Sequence, residues 1–320
     1  MGDSWMENLT VVTEFTLEGL SNNPQLHNLL FVVFLIIYFI TLVANMTIIL
    51  VTGADPHLHT PMYFFLSHLS FVDICYSSVT VPKMLENLVA KKTISASISF
   101  MGCAAQLYFL VALVGTEGFL LASMALDRYF AISRPLVYGR LMNEWTCLLL
   151  AATSWTCGFL NASLHTALTF QLSFCRSHGI NHFFCDIPPL LSISCSDTTR
   201  NEIALFILGV FVGLIPFFFI LISYAFILHA IVSNWEKGQQ HRGFSTCASH
   251  LTVVILFYGS AAFTYFRPTS SYSLEKDQLV GILYNILTPT LNPIIYSLRN
   301  KEVKMAVKKL ISEKIFVHRI

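Results

Sequence analysis

LLFVVFLIIYFITLVANMTIILV (residues 29–51) carries no charged side chain from end to end, and its reading decides the fold. The hydrocarbon core of a bilayer is crossed by about 20 consecutive apolar residues in an α-helix. This stretch has that length. LLLAATSWTCGFLNASL (148–164) and IALFILGVFVGLIPFFFILISYAFILHAIV (203–232) share the character. Only 12% of the 320 residues are charged, about half of the roughly one-quarter that coats a soluble domain. The chain therefore reads as an all-α integral membrane protein.

Working outward, seven spans are predicted near 27–52, 60–87, 98–132, 144–168, 200–233, 242–266 and 277–298, the longer ones allowing tilt. Three parts follow: an outer N-terminal segment (1–26), a seven-helix bundle (27–298) and a cytoplasmic tail (299–320). Spans two, three and seven are the more polar, which predicts that they face the bundle interior rather than lipid. Most of the 19 Lys and Arg fall on one side if the N-terminus is outside, with Lys301, Lys304, Lys308 and Lys309 in the tail. That is the bias expected of cytoplasmic segments. Asn8-Leu9-Thr10 is a glycosylation sequon on the same outer side, whereas Asn45-Met46-Thr47 and Asn161-Ala162-Ser163 lie inside spans and should stay bare.

The first 26 residues hold no Lys or Arg and no continuous apolar core, so they read as neither signal nor transit peptide. Met6 stands where a myristoylation site wants Ser or Thr. A net charge of +1 with no basic face excludes a nucleic-acid partner. Cys103, Cys175, Cys185 and Cys195 fall on the oxidising side; four cysteines allow three pairings, and the residues alone do not choose. Cys75, Cys147, Cys157 and Cys247 should be free thiols.

At the inner end of span three, MALDRYFAISRPLVY (124–138) places Asp127, Arg128 and Tyr129 side by side. An arginine at that depth needs an acid, a carbonyl or water, and Asp127 is expected to be its local partner. Leu110, Val114, Glu117, Leu121, Met124 and Arg128 recur at helical spacing on one face. Glu117 and Arg128 are then about three turns, ~16 Å, apart. Asp73 is the second acid at mid-depth. Two neighbouring buried carboxylates need a cation between them or a proton on one, so Asp73 and Glu117, with Asn45 or Asn292 nearby, are a candidate Na⁺ or proton site. Pro216, Pro293 and Gly281 mark candidate hinges, because backbone groups freed in a span are satisfied only inside the bundle.

The DRY stretch and NPIIY (292–296) resemble the signatures of rhodopsin-like G-protein-coupled receptors. More narrowly, PMYFFLSHLSFVDICYSS (61–78), MALDRYFAISRPLVY, FSTCASHL (244–251), FYGSAAFTYFRP (257–268) and PTLNPIIYSLRNKEV (289–303) are similar to the signature stretches of olfactory receptors. The long outer connection with three cysteines resembles the tetrapod branch for airborne odorants. Leu126, Phe130, Ser133, Ala44 and Gly243 depart from the usual family residues. The resemblance implies an odorant receptor that couples to a Gs/Golf-type heterotrimer and raises cAMP, in the plasma membrane of olfactory cilia. It implies disulfides Cys103–Cys185 and Cys175–Cys195. It implies a switch made of Asp127, Arg128, Tyr129, Tyr224, Asn292, Pro293 and Tyr296, with the two tyrosines swinging in to steady Arg128. It also supports sodium at Asp73 and Glu117.

The outer half presents mostly apolar side chains: Leu110, Val111, Val114, Leu208, Val212, Ala261 and Tyr265, with His165, Tyr258 and Asn285 as the polar exceptions. Such a lining suits a small hydrophobic ligand. No Lys lies in 277–298, so the seventh span offers no Schiff base to retinal, and no acid lies between Cys103 and Val114 to balance an amine. HFFCD (182–186) is a weak candidate metal site centred on His182. After span seven, Val303, Ala306, Val307, Leu310, Ile311 and Ile315 alternate with the tail lysines, which predicts an amphipathic helix lying on the anionic inner leaflet. A transporter would want repeated halves with matching broken helices, and none is visible; convergent catalytic groups are also absent. A receptor of this class for a lipid or metabolite is the remaining alternative.

Overall fold

The computed structural model describes residues 12–20, 24–89, 97–174, 179–234, 237–265, 274–299 and 301–317. Among them, seven helices are long and apolar enough to cross a membrane. Spans one to four are the helices Pro24–Ala54, Pro61–Val89, Phe100–Ser133 and Glu144–Phe170. Span five runs continuously through Thr199–Leu208, Gly209–Leu214 and Ile215–Asn234, span six is Lys237–Tyr265, and span seven joins Leu274–Ile282, Leu283–Leu287 and Thr288–Arg299. Span six starts earlier than its apolar stretch. A helix that leaves the bilayer keeps its internal hydrogen bonds, so polarity ends the span but not the helix.

Local capping sets the helix starts. Ser99 Oγ accepts from Gly102 N at 3.0 Å to open span three, and Asn143 Oδ1 accepts from Thr146 N at 2.9 Å to open span four. Spans three and four then press together at glycine. A Cβ on Gly158 would overlap Thr116 Oγ1 and the Ala112 carbonyl, and one on Gly115 would stand 3.1 Å from Gly158 Cα. Small residues let helix backbones approach in lipid, where packing rather than water expulsion drives association.

The predicted hinges are partly relocated. Span five has a π-helical turn at Gly209–Leu214, just before Pro216, and span seven has one at Leu283–Leu287, just before Pro289 rather than Pro293. Proline lacks an N–H and crowds the carbonyl four residues back, which disturbs the turn ahead of it. For Pro293 that carbonyl belongs to Pro289, and Asn45 of span one donates Nδ2 to it at 3.0 Å. Gly281 has a different role from the expected hinge: a Cβ there would meet His182 Cε1 at 2.8 Å, so it admits the outer loop.

Besides the helices there is a small outer sheet that the all-α expectation did not contain. Strand β1 (Glu14–Leu17) pairs antiparallel with β2 (Ser97–Ser99) and parallel with β3 (Gly179–Ile180). Strands this short carry no alternation signal to find. Phe15 is fully buried beneath the sheet, its ring 5.3 Å from Phe174 and 6.0 Å from Phe100. At the other end, the helix Lys301–Val317 follows span seven. It buries Val303 and Ala306 against the bundle and leaves Lys304, Lys308 and Lys309 exposed. Tyr63 of span two donates its hydroxyl to Glu302 Oε2 at 2.6 Å, which pins that helix.

Candidate functional site

Spans three to six enclose a cavity of about 520 Å³ in the outer half, roofed by the short helix Ile187–Ser192. Of the ten lining residues expected from sequence, Val111, Val114, His165, Leu208, Val212, Tyr258 and Ala261 border it. Leu110 does not. It is buried in the main core, because the cavity lies against the Val111–Val114–Gly115 side of span three, one step round the helix. Asn285 does not either. It borders a separate small gap beside His182 and Asp186 and returns its Nδ2 to the Gly281 carbonyl at 2.9 Å, inside the π-helical turn. The side chain of Tyr265 lies outside the described residues.

Sequence reasoning missed Gly115, Asn161, Ile187, Pro188, Leu191, Glu202, Leu205, Phe206, Gly209, Gly213, Phe257 and Thr264. The roof residues come from a loop whose path no periodicity reports. Asn161 was legible only as a bare sequon, although it stands four residues before His165, on one helix face. Glu202 is an acid at the cavity that a search confined to span three does not find.

The roof is held by a disulfide and by one glutamine. Cys103 and Cys185 are bonded, with Cα atoms 5.6 Å apart. Gln106, a turn below Cys103, accepts from Cys185 N at 2.9 Å and donates to the Val79 carbonyl at 3.0 Å. Cys195 is also disulfide-bonded; its expected partner Cys175 lies outside the described residues, as does Asn8. Cys75, Cys147, Cys157 and Cys247 are free thiols. The metal reading of HFFCD is corrected here. Cys185 spends its sulfur on the disulfide, the Asp186 side chain caps Ile187 N at 2.7 Å, and the His182 ring packs on Phe183 and Phe184 at 4.7 and 4.2 Å. A disulfide sulfur is a poor ligand.

Tyr258 forms the cavity floor and donates its hydroxyl to the Gly118 carbonyl at 3.2 Å. One residue away, Glu117 enters a buried polar cluster. Asn292 Nδ2 lies 3.1 and 3.2 Å from the two Asp73 oxygens and 3.3 Å from Glu117 Oε1, all three side chains being almost wholly enclosed. Of the two asparagines expected nearby, Asn292 bridges the acids. Asn45 is occupied with the Thr41 and Pro289 carbonyls. The Asn292 Oδ1 is buried without a partner.

At the inner end Asp127 and Arg128 make no direct salt bridge among the described residues. Asp127 is buried and accepts instead from Tyr138 Oη at 2.7 Å, a residue of the short inner helix Pro135–Leu141. The reason is geometric. Consecutive helix residues point about 100° apart, so a carboxylate held from the side turns away from its neighbour. Arg128 Nε is buried with no hydrogen-bond partner. Tyr224 shares a 2.9 Å hydrogen bond with His250 Nδ1 and stacks on its ring, and the Tyr296 hydroxyl is buried without one.

Seven spans, an outer cavity under a disulfide-pinned roof and an arginine at the inner end of span three define a seven-helix membrane receptor. The chain belongs to the olfactory receptor family, whose family model, described as "Olfactory receptor", matches residues 34–314. It is 53% identical over 305 residues to olfactory receptor 5AP2 of Mus musculus, covering 95% of each chain. It is 48% identical over 306 residues to human olfactory receptor 8D1, covering 96% of this chain and 98% of that one. Olfactory receptor 5AR1 of Mus musculus is 51% identical over 308 residues. The protein is thus a multi-pass odorant receptor that acts through a G protein and is not an enzyme.

Proposed function

We propose that this receptor binds a small hydrophobic volatile in the cavity between spans three to six and activates a Gs/Golf-type heterotrimer, raising cAMP. The observation that carries the reading is the short path from cavity to inner face. Tyr258 at the cavity floor bonds span three at Gly118, and the adjacent Glu117 sits in the Asp73–Asn292 cluster. A ligand that displaces Tyr258 acts on spans three and six together, and the π-helical turns of spans five and seven offer places for the helices to bend. Arg128, with no direct salt bridge to Asp127, is then available to Tyr224 and Tyr296 once the inner ends separate, and a G-protein helix docks in the opened groove. A ligand shifts this balance only by its differential affinity for the two arrangements.

The site also fits a monovalent cation or a shared proton. Asp73 and Glu117 with Asn292 would hold it, neutralising two buried carboxylates that repel each other. The exposed lysines of the last helix face the headgroups of anionic lipid, and Asn8 is the glycosylation position. The test is cAMP in cells expressing the full chain with Golf, exposed to pooled volatiles, beside Arg128→Ala at matched surface level. A response in the wild type that is lost in the variant is expected. An equal response in both overturns the coupling route, and a response carried only by another G-protein class overturns Gs/Golf.

A further inference from the structure

The polar atoms at the cavity wall are short of one thing. Tyr258 and Thr264 both spend their hydroxyl hydrogens on backbone carbonyls, Gly118 at 3.2 Å and Ser260 at 3.0 Å, so toward the cavity they offer lone pairs. Glu202 offers a carboxylate that already accepts from Thr198 at 2.9 Å. Asn161 has its Oδ1 enclosed with no partner among the described residues. His165 is 4% exposed, borders the cavity and makes no hydrogen bond among the described residues. The wall is therefore rich in acceptors, and among the described side chains its donors are the Asn161 amide and the His165 ring.

A polar group left without a partner is costly, and a ligand that bonds to it removes that cost. Asn161 and His165 are four residues apart on span four, so their Cβ atoms lie about 5–6 Å from each other. One oxygen can reach both side chains across that gap. An amide and an imidazole together ask for a group that both donates and accepts, whichever way the amide is turned. A hydroxyl does both. An ether or ketone only accepts, a hydrocarbon does neither, and a carboxylate meets Glu202 as a like charge.

We propose that the ligand of this receptor is a small apolar alcohol whose hydroxyl donates to Asn161 and accepts from His165, its hydrocarbon body lying on Val111, Val114 and Val212. This rests on the cavity being the odorant site and names the chemistry it selects. Asn161 and His165 are specificity-determining residues here, and Glu202 reinforces the choice by excluding acids.

The experiment uses the full-length receptor in lipid nanodiscs and reads ligand binding by thermal stabilisation, independently of any G protein. Several branched and alicyclic skeletons are each offered as hydrocarbon, methyl ether, ketone, alcohol, primary amine and carboxylic acid. The expected result is an alcohol bound at least tenfold more tightly than its own methyl ether and hydrocarbon. In Asn161→Leu that preference should collapse to less than about threefold. His165→Phe should reduce the preference without abolishing it. The wild-type series decides by itself if a variant fails to assemble. Equal binding of alcohol and ether overturns the alcohol and leaves the cavity reading standing. A tenfold preference for the amine also overturns it and transfers the anchor to Glu202. Binding by no member in a folded receptor overturns the cavity reading and the alcohol with it.

Discussion

Spans three and five are both long and apolar, yet 72% of the residues in the apolar stretch of span three are buried against 11% of those in span five. In a soluble protein the more apolar helix would lie inside. Here the order is reversed, because lipid is as apolar as leucine and offers no reward for hiding it. What drives a helix inward is what lipid cannot satisfy: Glu117, Asp127 and Arg128 in span three, Asp73 in span two, Asn285 and Asn292 in span seven. Span five turns Phe211, Phe218 and Ile222 to the lipid at little cost. The comparison teaches that in this molecule polarity marks the interior and small size marks its closest contacts.

The change expected to break that comparison most severely is Gly158→Val. A side chain there overlaps Thr116 and the Ala112 carbonyl of span three, and a backbone cannot yield as a flexible side chain does. Overpacking costs typically 1–3 kcal/mol even in soluble cores, and spans three and four have no slack at this crossing. Loss of most surface expression is expected by flow cytometry of an epitope-tagged receptor. Normal surface levels would show that the two spans can separate.

The next effect sharpens the polar side of the comparison. Asp73→Asn removes one of the two carboxylates around Asn292 and with it the reason for a cation. Replacing sodium by a large organic cation should shift agonist potency several-fold in the wild type and less than about twofold in Asp73→Asn. An equal sodium effect in both would remove the ion from the site.

These contrasts also show how much was legible in sequence. The seven spans follow from apolar length, and the inward position of spans two, three and seven follows from their polarity, since both are properties of single segments facing one solvent. Seven of ten expected cavity residues were found because helical spacing fixes which residues share a face. Leu110 and Asn285 failed where that spacing could not be used: the cavity lies one step round span three, and a π-helical turn reorients span seven. Asn161 and Glu202 were missed for another reason. Each sits on a span chosen by no motif, and only the bundle brings them to the same wall. The Tyr138–Asp127 hydrogen bond depends on a short inner helix returning beneath span three, and adjacency in sequence pointed instead to Arg128.

Tyr138→Phe tests that last point with a smaller expected change. A hydrogen bond to a carboxylate contributes about 1.5–3 kcal/mol, partly offset here by water reaching a half-buried hydroxyl. Tyr138 holds Asp127 away from Arg128 in the present arrangement. Its removal lets Asp127 turn to Arg128 and should lower ligand-free cAMP about three- to tenfold at matched expression. An unchanged baseline would make the contact a mere consequence of the inner helix's position.

The smallest effect is expected where the opening comparison is most literal. Phe218→Leu and Ile222→Val alter span five on its exposed face, toward lipid. Each exchanges one apolar group for another in an apolar solvent, so the transfer cost that punishes truncation in a soluble core is absent. No wall of the cavity and no polar cluster is touched. Surface expression, basal cAMP and agonist potency should each stay within about twofold of the wild type. A larger loss of expression would mean that this face packs against protein, a second copy or a chaperoning partner, and that low burial in span five describes an isolated chain rather than the receptor in its membrane.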